Sequence, residues 1–124
     1  MNSLRVLLVD DEPTLNAAMV LVIETLGHAA HGCAGLDCCK EQLRLGRFDL
    51  MILDLNLGDG PDDGVKLVNE IRALGLPLPP TVVLSAQPPD ELAAAARAIG
   101  TRAFLRKPCS SKELHKAMRA VLED

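Results

Sequence analysis

Short apolar segments alternate with longer amphipathic segments along the whole chain, and this alternation is the feature that most constrains its fold. Residues 6–9 and 50–53 are unbroken runs of apolar side chains, which are typical of strands buried on both faces of a parallel sheet. Between such runs lie helix signals, for example Pro13 in a first turn and Gly27 after a last turn. These signals predict five strands, at residues 4–9, 28–34, 49–55, 81–86 and 102–108, and five helices, at residues 13–27, 36–46, 64–75, 87–100 and 110–124.

Five strand–helix units in succession predict an α/β fold. Short connections favour parallel strands joined by right-handed crossovers, with helices on both faces of the sheet. Residues 28–34 are small and only weakly apolar, which favours an edge strand. Either Ser110 or Ser111 is expected to cap the last helix, with Glu113 placed for a capping box. The 124 residues contain no repeat or linker, so we expect a single domain over residues 1–124.

Charge and hydropathy narrow the classes of function. The formal net charge is −4 and the basic residues are scattered, so we expect no direct binding of nucleic acid, which needs a clustered basic surface. No apolar segment reaches the length of a membrane span, and the N-terminus lacks the organisation of a signal peptide. We therefore expect no membrane association and a cytoplasmic location.

The cysteines and histidines show no spacing typical of a metal site. No two cysteines form a C-x-x-C pair, and two of them are adjacent in the chain. We therefore expect four reduced thiols that pack as small apolar side chains, at Cys33, Cys38, Cys39 and Cys109. The three histidines are expected at the surface, at His28, His31 and His115.

Polar side chains stand where the predicted strands end. Asp10 and Asp11 follow the first strand, Asp54 ends the third, Ser85 ends the fourth and Lys107 ends the fifth. In an open α/β sheet, ligands bind beyond the carboxyl ends of the strands. Three carboxylates at one edge predict a site for a hard divalent cation, Mg²⁺ or in its place Mn²⁺. Taken alone, the acids after the first strand also fit a solvated turn in which Asp11 or Glu12 interacts with the following helix dipole.

This set of motifs resembles the receiver domain of two-component response regulators. The order is Asp-Asp after the first strand, Asp after the third, Ser-Ala after the fourth and Lys-Pro after the fifth, and it covers essentially the whole chain. The resemblance implies a flavodoxin-like, doubly wound (βα)5 fold with strand order 2-1-3-4-5. It implies a phosphoacceptor signalling domain rather than an enzyme, with only Mg²⁺-dependent self-phosphorylation and self-dephosphorylation.

The same resemblance implies roles for the acids. Asp54 is similar to the phosphoacceptor, which takes a phosphoryl group from a histidine kinase or a phosphotransfer protein. Asp11 and Asp54 resemble the direct ligands of Mg²⁺, and Asp10 resembles the acid that holds the metal through water. The backbone carbonyl of Asn56 would complete the ligands. Phosphoryl transfer needs mainly alignment and positive charge on the phosphoryl oxygens, which fits this arrangement.

Three further residues resemble those that respond to phosphorylation in receiver domains. Ser85 would hydrogen-bond the phosphoryl group, and Lys107, preceding a cis proline, would pair with the acceptor carboxylate and then with a phosphoryl oxygen. Phe104 stands where the family has an aromatic switch residue. The face formed by the fourth helix, fifth strand and fifth helix would then change shape and bind an output protein or domain that the sequence leaves unknown.

One loop departs from the family pattern, and three competing functions share some of the motifs. The loop after the acceptor has Gly58 where the family commonly has Pro, and the stretch to Gly64 is about two residues longer than usual. A haloacid-dehalogenase-type phosphatase also has an aspartate nucleophile after an apolar strand, but it needs a general acid where Asn56 stands. The same motifs also suit a receiver-like scaffold that works without phosphate, or the receiver module of a larger regulator or hybrid kinase.

Overall fold

A computed structural model of the protein describes residues 3–57 and 63–123, and its strands form one parallel sheet with the order β2-β1-β3-β4-β5. The predicted strand order is confirmed, as is the α/β class. The strands are β1 (Arg5–Val9), β2 (Ala29–Cys33), β3 (Leu50–Asp54), β4 (Thr81–Ser85) and β5 (Phe104–Arg106). The helices are α1 (Pro13–Thr25), α2 (Leu36–Leu45), α3 (Asp63–Ala73), α4 (Pro89–Ile99) and α5 (Ser111–Glu123).

The hydrophobic core lies on both faces of the sheet. Along β1, Leu7 and Val9 pack with α2, α3 and α4 on one face, whereas Val6 and Leu8 pack with α1 and α5 on the other. All residues of β3 and β4 are buried, because these strands lie in the middle of the sheet under both layers of helices. Burial of each Leu, Ile or Val side chain contributes about 1.5–3 kcal/mol to the free energy of folding. The central strands therefore make a large contribution to the stability of the fold.

The register of the strands brings their carboxyl ends to one edge. Val9 pairs with Leu53, and Asp54 pairs with Leu84, one residue before the end of β4. Ser85 pairs with Arg106 at the end of β5. The residues that follow these positions therefore emerge side by side, as parallel strands require.

Within the part of the chain that the structure describes, two helices begin with side-chain caps. The carboxylate of Glu12 accepts hydrogen bonds from the backbone N–H groups of Thr14 at 3.3 Å and Leu15 at 2.7 Å, so this acid caps α1. Before α5, the Ser110 hydroxyl accepts from the Glu113 N–H at 3.1 Å, and the Glu113 carboxylate accepts from the Ser110 N–H at 3.0 Å. The predicted capping box is confirmed, with Ser110 as its N-cap.

The prediction of four reduced thiols is wrong for two of them. Cys33 and Cys38 form a disulfide, because the turn from β2 into α2 brings their Cα atoms to 5.5 Å, a separation that disulfides require. Cys39 and Cys109 are free. Cys39 lies in the core, where burial raises the pKa of its thiol to about 11.

The surface prediction is also wrong for His28. This residue is buried at the start of β2, and its Nδ1 accepts the backbone N–H of Leu4 at 3.1 Å. Burial lowers the pKa of His28, with a further contribution from the nearby charge of His115. His31 is exposed as predicted, and His115 is half-buried on α5. Within the described ranges, no helix is long and apolar enough to cross a membrane.

Candidate functional site

Two buried carboxylates and one ammonium group meet at the carboxyl edge of the sheet. Asp10 follows β1, Asp54 ends β3 and Lys107 follows β5. The two aspartates are only 4% and 6% exposed. Lys107 Nζ lies 2.8 Å from Asp54 Oδ2 and 3.4 Å from Asp10 Oδ2. One cation therefore compensates two negative charges that water barely reaches.

Backbone hydrogen bonds hold each carboxylate in place. Asp54 Oδ1 accepts the N–H of Asn56 at 3.1 Å, and Asp10 Oδ1 accepts the N–H of Glu12 at 3.0 Å. In both side chains one oxygen faces the following backbone and the other faces Lys107. This division fixes the orientation of both groups before any ligand arrives, so little reorganisation is needed on binding.

The pKa values of Asp54 and Lys107 are both raised, but for different reasons. Burial raises the pKa of Asp54, although the hydrogen bonds from Lys107 and from the Asn56 N–H lower it. Burial lowers the pKa of Lys107, but its contacts with Asp54 and Asp10 raise it by more. The contacts with the two carboxylates thus favour the charged form of the Lys107 ammonium, whereas burial penalises the charged form of Asp54.

A third carboxylate completes an oxygen-donor cluster. Asp11 is exposed beside the buried pair, and Asp10, Asp11 and Asp54 each offer one oxygen such that these atoms lie within 4.8 Å of one another. Carboxylate oxygens at this spacing suit a hard cation such as Mg²⁺. Asn56, whose carbonyl is the predicted fourth donor, is exposed two residues beyond the end of β3. The chemistry of the donor set therefore fits the predicted metal.

Ser85 and Lys107 belong to the same edge of the sheet. Ser85 is 1% exposed at the end of β4, where its Oγ accepts the N–H of Gln87 at 3.0 Å. The backbone carbonyl of Ser85 accepts the N–H of Lys107 at 2.9 Å, and the peptide bond between Lys107 and Pro108 is cis, as expected. Phe104, at the start of β5, is 38% exposed, so its ring lies outward in this structure.

Asn16 is a residue of this region that the sequence did not indicate. Its side-chain nitrogen donates to the carbonyl of Asp10 at 2.8 Å and to the carbonyl of Cys33 at 3.1 Å. These two hydrogen bonds link the end of β1 to the end of β2 beside Asp10. An asparagine inside a helix carries no sequence signal for such a role.

Gly64 lies against the end of β3. A Cβ at this position would be 2.8 Å from the Cα of Leu55 and 3.2 Å from the carbonyl oxygen of Asp54. The first turn of α3 can approach the end of β3 this closely only because residue 64 has no side chain. The predicted departures from the family pattern lie between Asn56 and this glycine and include Gly58. They fall in residues 58–62, which lie outside the described ranges.

Comparisons with known proteins show which family the chain is similar to. The family model for the response regulator receiver domain matches residues 6–119. The chain is 29% identical over 119 residues to the transcriptional regulatory protein BasR of Escherichia coli (strain K12), covering 96% of this chain and 52% of that protein. It is 32% identical over 118 residues to the swarming motility regulation protein RssB of Serratia marcescens, covering 95% of this chain and 52% of that protein.

The fold is shared with solved structures. A response regulator from Thermotoga maritima superposes with a TM-score of 0.81 at 20% identity, covering 100% of both chains. At that identity the likeness concerns the fold alone. The chain spans about half the length of the curated relatives it matches.

Proposed function

The chain belongs to the response regulator receiver domain family, and from this premise we propose that Asp54 accepts a phosphoryl group from the phosphohistidine of a histidine kinase or phosphotransfer protein. The family is one of signalling domains rather than catalysts. The observation that carries the proposal is the buried Asp54 carboxylate, held by the Asn56 N–H and by Lys107 at 2.8 Å within reach of two further acids.

The acids of the site would hold the metal. Asp11 and Asp54 are the direct ligands in this proposal, Asp10 acts through water, and the carbonyl of Asn56 completes the protein donors. When bound, Mg²⁺, or Mn²⁺ in its place, supplies positive charge to the phosphoryl oxygens. The exposure of Asp11 supports this assignment, because the cluster then opens to solvent on the side from which a partner must approach.

The chain's own residues align the reaction. An oxygen of the Asp54 carboxylate attacks phosphorus, the bond to the donor imidazole breaks, and that imidazole leaves with the electron pair. Lys107 stabilises the carboxylate before transfer and a phosphoryl oxygen after it, since the ammonium already lies at hydrogen-bond distance from the acceptor. The hydroxyl of Ser85 donates a hydrogen bond to the phosphoryl group.

The signal leaves the site through β5. Ser85 moves toward the phosphoryl group, and the ring of Phe104 turns into the space that the movement opens. The outward position of Phe104 supports this order of events, because the ring starts from the exposed state. The surface formed by α4, β5 and α5 then changes shape and binds its output, which is either a separate protein or another domain of the same chain.

The setting proposed for this chemistry is a cytoplasmic receiver domain spanning residues 1–124. The negative net charge argues against direct contact with nucleic acid. Because the matched relatives are about twice as long as the chain, the domain also suits a place within a larger regulator or a hybrid kinase.

The test is intact mass after incubation with acetyl phosphate, with and without Mg²⁺. We expect one phosphoryl adduct on the wild type, dependent on Mg²⁺ and absent from Asp54→Asn. The matched control is Asp90→Asn, which changes an exposed acid in the first turn of α4 and should leave the adduct intact. A wild type that never gains the adduct would contradict the proposal and favour a scaffold that works without phosphate.

A further inference from the structure

A second cluster of metal-ligating side chains lies where β2 turns into α2. His31 and Cys33 are two residues apart on β2, so their side chains point to the same side of the strand. Cys38 lies in the first turn of α2. One ligand atom from each of the three residues lies within 4.8 Å of the others, and the two sulfur atoms form the disulfide.

The donor types of this cluster differ from those of the acid site. Imidazole nitrogen and thiolate sulfur are the ligands of zinc and similar borderline cations, whereas Mg²⁺ prefers oxygen. We propose that, once the disulfide is reduced, His31, Cys33 and Cys38 bind a divalent cation of the zinc type through three protein ligands. The fourth position of a tetrahedral site would hold water or an external ligand.

Exposure determines how the disulfide opens. Cys33 is buried and Cys38 is half-buried, so a thiolate of a dithiol reductant attacks the sulfur of Cys38. The Cys33–Cys38 bond breaks, Cys33 leaves as a thiolate, and a mixed disulfide forms at Cys38. The second thiolate of the reductant then attacks the reductant's sulfur in the mixed disulfide, and Cys38 leaves as a thiolate. The reductant is oxidised to a cyclic disulfide, and the two cysteines gain two electrons; cation binding displaces any protons that they carry.

The start of α2 favours negative charge on Cys38. Gly35 is the N-cap of this ten-residue helix and provides no side-chain hydrogen bond to its first turn. The N–H groups and the positive end of the helix dipole favour a thiolate in the first turn, where Asp37 is also present and pairs with Lys40 at 3.8 Å. Exposed His31 leaves solvent access to the cluster on the imidazole side. Negative charge and access are what a cation needs in order to enter.

The test uses Co²⁺ as a spectroscopic probe for the zinc-type cation on the full chain. The protein is reduced with dithiothreitol, freed of reductant without oxygen, and titrated with Co²⁺ in excess Mg²⁺, which competes for the carboxylate cluster. We expect one equivalent of Co²⁺ to give the near-ultraviolet sulfur-to-cobalt charge-transfer band and the visible bands of tetrahedral Co²⁺. Added Zn²⁺ should abolish both.

Four comparisons separate the proposed ligands from other thiols. The oxidised wild type, in which only Cys39 and Cys109 are free, should give no band, and this control needs no substitution. Cys38→Ser should lose the band, whereas Cys109→Ser should keep it. His31→Ala, at an exposed position, should weaken Co²⁺ binding by at least about tenfold, since even partners outside the ligand shell contribute that much.

Other results would overturn the inference. A reduced wild type without the charge-transfer band would mean that the two cysteines serve only as a disulfide. A band that persists unchanged in Cys38→Ser would remove Cys38 from the ligand set, and unchanged affinity in His31→Ala would remove the imidazole from the site. Circular dichroism of each variant verifies that a lost band does not reflect unfolding.

Discussion

Replacement of Lys107 by methionine tests the electrostatics of the acid site most directly. Methionine keeps much of the aliphatic length of lysine but removes the ammonium group. The substitution leaves Asp10 and Asp54, whose side chains are 5% and 8% exposed, without the cation that lies between them. We expect a marked loss of stability in the absence of divalent cations.

The distances give the size of the effect. At an effective dielectric constant of about 20, the attraction between unit charges is about 6 kcal/mol at the 2.8 Å separation from Asp54 and about 5 kcal/mol at the 3.4 Å separation from Asp10. Lys107 is 24% exposed, so desolvation and screening offset most of this attraction. Removal of one partner of a buried pair costs about 3–5 kcal/mol, and we expect about 3 kcal/mol here.

The assay is urea unfolding at neutral pH with a chelator present. A loss of about 3 kcal/mol should also lower the melting temperature by roughly 10 °C in a domain of this size. The matched control is Lys112→Met, which changes an exposed lysine in the first turn of α5 and should stay within about 0.5 kcal/mol of wild type.

A second substitution shows whether charge is the cause. Asp54→Asn in the Lys107→Met background removes one uncompensated carboxylate and keeps an oxygen that accepts the Asn56 N–H. It should therefore restore part of the lost stability. If Lys107→Met unfolds at the wild-type urea concentration, or if the double variant is less stable than the single one, the electrostatic reasoning is refuted.

Three further substitutions test other parts of the structure. Asp54→Asn alone should raise the melting temperature of the metal-free protein, because the raised pKa of Asp54 means that its ionised form costs stability above that pKa. Mg²⁺ should then raise the melting temperature of wild type more than that of the variant, and coincident curves would contradict the metal site. Gly64→Ala should cost about 2 kcal/mol in urea unfolding, because its Cβ would meet the Leu55 Cα at 2.8 Å; an unchanged midpoint would refute that contact. The lowered pKa of His28 predicts that wild type loses stability as the pH falls below the unfolded value of 6.5 toward the folded one. His28→Asn, which keeps an acceptor for the Leu4 N–H, should flatten that part of the pH profile, and equal profiles would contradict the assignment.

The fold was predictable because its central strands are buried on both faces. A strand in that position favours apolar side chains, so β1, β3 and β4 stand out as apolar runs at residues 6–9, 50–53 and 82–84. Edge strands lack this constraint. β5 contains only Phe104–Arg106 instead of the seven residues predicted, and none of the three is fully buried.

The meeting of Asp10, Asp54 and Lys107 followed from the same logic, since parallel strands must end at one edge. The hydrogen-bond partners around these side chains did not follow from the sequence. The carboxylate of Glu12 caps α1, so one of the three consecutive acids serves the helix and not the site. Sequence left that possibility open, because a capping acid and a metal ligand look alike until the direction of the backbone is known.

The Cys33–Cys38 pair was missed because its proximity comes from the turn between β2 and α2, which no cysteine spacing rule describes. The same turn places the carbonyl of Cys33 where it accepts the Asp10 N–H at 3.0 Å and the Asn16 amide at 3.1 Å. The nitrogen–sulfur cluster and the oxygen cluster therefore share a stretch of backbone but no ligand. Reduction changes the bond at the Cys33 sulfur, whereas Asp10 is held through the Cys33 carbonyl. The Asn16 side chain also donates a hydrogen bond to the carbonyl of Asp10. A movement at Cys33 therefore displaces Asp10 only after the Cys33 carbonyl has lost its hydrogen bonds from the Asp10 N–H and the Asn16 amide.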